Sequence, residues 1–129
     1  MHPPDLPIFL ASDEDNDLMV AATVVAAEAE MEPQEVEEGY YVVFDSSGHI
    51  ASLVIDRWTV KISGWSEEAH LSKLRRHCES YLKEHALLVD PSLDDLEFIR
   101  EAARVIATSR RKMLHPRFPD WLRRLGEDQ

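Results

Sequence analysis

Lysine and arginine are missing from the first 56 residues of this chain, although the same stretch holds thirteen carboxylates. The absence leaves the N-terminal half with no cation of its own to neutralise those acids. It also excludes nonspecific contact with nucleic acid or an anionic membrane there, because like charges repel. The one cysteine, Cys78, has no partner for an internal disulfide, and its helical context reads as a buried thiol in a reducing compartment. With only four glycines there is no glycine-rich loop to cradle a phosphate, and neither a nucleophile elbow nor a dinucleotide fingerprint occurs. No run approaches the roughly eighteen apolar residues of a membrane helix, and Met1–Asp5 lacks the basic start of a signal peptide. The expected setting is therefore soluble and cytoplasmic.

What is present suits one globular domain over residues 1–129. Apolar residues make up 44% and charged residues 30% of the 129, with a formal net charge of −11. Eight of the fourteen basic residues lie between Arg100 and Arg124, so the two ends of the chain are electrostatically complementary.

Residues 1–16 read as an acidic, proline-rich arm. Pro3, Pro4 and Pro7 oppose early regular structure, and Ser12–Asp17 is turn-like, while Ile8-Phe9-Leu10 is apolar enough to dock on the body. Leu18–Met31 is ambiguous. Its alanines favour helix, but Ala27-Glu28-Ala29-Glu30 alternates, and Val20, Thr23, Val24 and Val25 tilt the reading to strand. Tyr40–Phe44 and Ile50–Ile55 form a hairpin across Asp45-Ser46-Ser47-Gly48, and Trp58–Ile62 adds a further strand. Ser66, Glu67 and Glu68 then open a helix with Leu71, Leu74, Cys78, Tyr81, His85 and Leu88 on one stripe. A second helix follows Ser92, its buried face marked by Leu96, Ile99, Ala103 and Ile106. Asp120–Leu125 reads as a short terminal helix. The expected fold class is α+β. A small antiparallel meander of three to four strands, about residues 18–63, precedes two main helices, about 67–87 and 93–112, packed on one face.

Catalysis finds no positive support. Cys78 lies on the apolar stripe, and Ser46 and Ser47 fit a tight turn. His70, His77 and His85 are seven and eight residues apart, too far along one helix to share an ion, so neither metal nor cofactor is expected. Trp58 reads as core, with Trp65 and Trp121 left between core and interface. The basic, aromatic tail (Arg110, Arg111, Lys112, Arg117, Phe118, Trp121, Arg123, Arg124) has the composition of an RNA contact, but the net charge opposes it. An internal use is favoured instead: the tail pairs with the acidic arm, or its stem carbons cover the core while the charged heads stay in water.

The acids that remain are Glu28, Glu30, Glu32, Glu35, Glu37 and Glu38, expected on or beside one exposed strand with Tyr40 and Tyr41 as neighbouring anchors. Such a run is ordinarily a solvated edge that blocks strand pairing. It also has the charge to meet a basic effector, where opposite potentials speed encounter. The reading adopted is a non-enzymatic module that binds a basic protein, inhibiting or neutralising a toxin or nuclease. In general look the chain is similar to bacterial immunity proteins and antitoxins, with no motif that assigns it to a family. A second reading is an oligomeric subunit, such as a homodimer, whose acidic arm pairs with a neighbour's basic tail. A third is a small enzyme whose site is assembled from distant residues such as His49, His77 and His115.

Overall fold

A computed structural model describes residues 3–117, with side chains through Arg110. It contains a five-stranded antiparallel sheet followed by helices, an α+β fold with one strand more than the sequence suggests. The strands are β1 (Ile8–Ala11), β2 (Leu18–Ala21), β3 (Val42–Phe44), β4 (His49–Asp56) and β5 (Thr59–Ala69), in sheet order β2-β1-β3-β4-β5. The extra strand comes from the expected arm. All four residues of β1 are buried, and they pair on one side with β2 (Ile8↔Ala21, Ala11↔Leu18) and on the other with β3 (Phe9↔Phe44). The run Ile-Phe-Leu-Ala is uniformly apolar because both faces of β1 are covered.

One face of the sheet, carrying Phe9, Ala11, Leu18 and Phe44, packs against α3 (Leu71–Glu84) and α4 (Asp95–Arg117). Leu74, Cys78 and Tyr81 from α3 meet Phe98, Ile99, Ala102 and Ile106 from α4 across this core. The two long helices thus share one face, as the strand-then-helix order implies. The opposite face, carrying Ile8, Leu10, Ala21, Val43 and Val60, is closed by Ala27 and Met31 with Val24 and Val36 packed around them.

That second cover corrects the reading of the acidic segment. Leu18–Ala21 is strand, but the chain then turns into α1 (Val24–Glu30) and α2 (Pro33–Glu37). Thr23 caps α1 by accepting a hydrogen bond from the Ala26 amide at 3.1 Å, and Pro33 opens α2 where its missing N–H costs nothing. Val24, Ala27 and Met31 recur at helical spacing and point to one core, which decides between the two periodicities of the Ala-Glu run.

Other boundaries also moved. Strand β5 continues through Ser66-Glu67-Glu68, and α3 begins only at Leu71. The start of α4 is capped by Asp94, whose carboxylate accepts from the Glu97 amide at 2.8 Å, while Ser92 bonds Asp90 in the preceding turn. Leu88 is 91% and Leu96 47% exposed, and Phe98 fills the core position instead. His85 is exposed and stacks on Tyr81. Trp58 is 90% exposed, not core, because it sits with Arg57 at the tip of the β4–β5 hairpin, both at positive φ. The β3–β4 hairpin follows expectation: Gly48 has φ +89°, and a side chain there would meet the Leu71 backbone nitrogen at 2.8 Å. The expected terminal helix at Asp120–Leu125 lies outside the described residues.

Candidate functional site

Four of the eight residues expected to contact a partner line one cavity. Glu30, Glu35, Tyr40 and Tyr41, with Asp17 and Met19, surround a space of about 200 Å³ on the α1/α2 side of the sheet. Glu30 enters from the last turn of α1 and Glu35 from α2. Tyr40 and Tyr41 lie just before β3, and their rings meet edge-to-face with centroids 4.9 Å apart. Tyr41 borders the core of Ile8, Leu10 and Val43, and its hydroxyl donates to Glu35 Oε1 at 2.7 Å. Burial, then the Glu35 carboxylate, push the Tyr41 phenol well above its usual pKa.

Tyr40 donates to Asp15 Oδ2 at 2.5 Å. That bond, with the Asp17 amide behind it, holds the Asp15 carboxyl below the usual carboxylate range, and the same bond raises the Tyr40 phenol. Asp15 and Asp17 belong to the β1–β2 connection, which is pinned at several points. Ser12 N–H donates to Asp17 O, Asp17 N–H to Asp15 Oδ1, and Arg110 Nη1 bonds Asp17 Oδ1 at 3.3 Å and Leu18 O at 3.0 Å. The Arg110–Asp17 bridge joins the first residue of the expected basic tail to the residue just after the expected arm, and the side chains of the rest of that tail lie outside the described residues.

The remaining expected contacts divide. Glu28 is half-buried, and its Oε2 accepts the Ile62 amide at 2.8 Å, so it fastens α1 to the outer edge of β5. Glu32, Glu37 and Glu38 are exposed around α2, with Glu38 accepting from Gln34 at 3.4 Å. Among the described residues, no cation bridges Glu30, Glu32, Glu37 or Glu38. Sequence reasoning missed Asp17 as a lining residue of the cavity and Asp15 as the acceptor of the Tyr40 hydroxyl. The turn-forming run Ser12–Asp17 between two short apolar segments was the available signal that these acids bridge paired strands.

His49 and His77 border different cavities. His49 Nδ1 contacts Ser66 O at 2.9 Å beside a cavity of about 590 Å³ that also meets Asp5, Trp65 and Glu67. His77 lies on α3 near Asp13, and among the described residues no three metal-ligating side chains converge. Burial pushes the Cys78 thiol up to about 12. Among the described residues no helix is long and apolar enough to cross a membrane. Comparison with known proteins found no similarity: no family model, curated protein or solved structure matches the chain.

Proposed function

We propose that this chain is a non-enzymatic binding module for a basic protein, and that it acts by occupying and neutralising that partner's cationic surface. The observation that carries the reading is the Tyr40–Tyr41 cavity, where aromatic rings stand among the carboxylates of Asp17, Glu30 and Glu35. Aromatic faces and carboxylates together suit an arginine or lysine head, which gains cation–π attraction and ion pairing at one place. About 200 Å³ is below the usual range for a cofactor or metabolite pocket, so a single inserted side chain fits better. Glu32, Glu37 and Glu38 lie exposed on and beside α2, the helix that carries Glu35, and their negative charge would steer a cationic surface toward this side of the molecule. Glu28 and Glu35 belong to the support of the site, since both are held by hydrogen bonds to the body.

The test separates steering from anchoring. A partner captured from native lysate with the intact chain is identified, and association is followed by stopped flow. Reversing Glu30, Glu32, Glu37 and Glu38 to lysine is expected to slow association at least about tenfold at low salt, with a smaller effect at high salt. Tyr40→Ala is expected to speed dissociation instead. Association rates that ignore both the reversal and the salt would remove the acidic face from the account.

A further inference from the structure

The outward side of α3 carries another cavity, of about 280 Å³, lined by Asp13, Asn16, Lys73, Arg76, His77 and Ser80. Lys73, Arg76, His77 and Ser80 fall at helical offsets of three, four and seven, which sets them along one face of α3. Asp13 and Asn16 approach from the β1–β2 connection on the other side of the cleft. His77 is the deepest member: its side chain is 12% exposed and its ring lies 5.6 Å from that of Phe44. Its Nε2 stands 3.3 Å from Asp13 Oδ1. Burial keeps the imidazole below its usual pKa, with Asp13 pulling the other way and Lys73 and Arg76 adding to the depression.

In a chain with a net charge of −11, this cleft is lined by residues that carry an ammonium, a guanidinium, an imidazole, a hydroxyl and an amide around one small volume. Donors of that number and spread suit a tetrahedral anion with several acceptor oxygens better than a planar carboxylate, which uses two. The Asp13 carboxylate against His77 already places an anionic oxygen at the mouth. We propose that the cleft binds a phosphate group, free or as the monoester of a small metabolite, and that Asp13 is the internal carboxylate the ligand displaces. This site is independent of the Tyr40–Tyr41 cavity and does not rest on the partner reading.

The intact chain is titrated with inorganic phosphate, and separately with glycerol 3-phosphate, at constant ionic strength maintained with sodium chloride. Nuclear magnetic resonance follows the His77 ring and the Asp13–Asn16 amides. Saturable shifts at both places are expected, and the tighter of the two ligands identifies the source of the phosphate. Combining Lys73→Gln with Arg76→Gln is expected to weaken binding at least about tenfold, as loss of charged hydrogen bonds requires. Asp13→Asn is expected to tighten it several-fold, a gain that a damaged fold would not produce. Shifts that sodium chloride alone reproduces, or an Asp13→Asn variant that binds no more tightly than the parent, would overturn the assignment.

Discussion

Replacing Glu28 with alanine tests whether this residue belongs to the fold or to a binding surface. Among the described residues strand β5 borders only β4, so the Ile62 amide that donates to Glu28 Oε2 at 2.8 Å faces away from that neighbour. A hydrogen bond to a charged group contributes about 1.5–3 kcal/mol. Glu28 is half-buried and water can reach an edge amide, so the lower end applies. Alanine returns a few tenths of a kcal/mol through helix propensity in α1, leaving a net loss of about 1 kcal/mol. With a urea slope of about 1–3 kcal/mol per molar, the unfolding midpoint should fall by roughly 0.3–1 M. Glu28→Gln keeps an oxygen acceptor without the charge and should lose about half as much. Hydrogen exchange gives the local reading, since the Ile62 amide should exchange about fivefold faster in the alanine variant. If Ile62 exchanges at the parent rate while partner association changes, Glu28 is a contact residue and the edge-fastening argument is wrong.

Two further outcomes follow from the shifted groups. Tyr40→Phe removes the bond that depresses the Asp15 carboxyl, so the Asp15 pKa should rise toward its ordinary 3.8, as read by carbon-detected titration. Because the folded pKa is the lower one, this contact stabilises the fold above that ordinary value and is lost as pH falls below it; at so exposed a pair it contributes less than about 1 kcal/mol. Cys78, buried with its thiol pushed up to about 12, should resist a thiol-reactive disulfide reagent at neutral pH until the chain is unfolded. Rapid labelling of the folded protein would contradict its burial.

The strand-then-helix order was legible because β3, β4 and α3 carry strong and different periodicities. Leu71, Leu74, Cys78 and Tyr81 mark a helix face from the sequence, and the Asp45–Gly48 turn has the residues its geometry needs. The Ala-Glu run was not decidable locally, because alternation and helix-favouring composition coincide in it, and only the core under Ala27 and Met31 separates them. The tip of the β4–β5 hairpin was hidden for another reason. Arg57 and Trp58 take positive φ where glycine or asparagine would be expected, so no turn signal stands in the sequence and Trp58 passed for core. Of the site, the residue types were visible, including Tyr40 and Tyr41. That Asp15 and Asp17 join them depends on strand pairing between residues far apart in the chain, which composition does not encode.

The position of β1 has a consequence for how the chain could be divided. Among the described residues strand β2 pairs with β1 alone, and β1 is its sole link to β3, so four residues join the two parts of the sheet. The loop that follows them, Asp13–Asp17, is exposed along its length. A cleavage there would separate β1 from the strands on both sides of it, leaving on one fragment the strand that is the missing centre of the other's sheet, the arrangement that favours noncovalent reconstitution. The same geometry is that of strand exchange: one copy's β1 could fill the slot of another while every backbone pairing of the sheet is preserved.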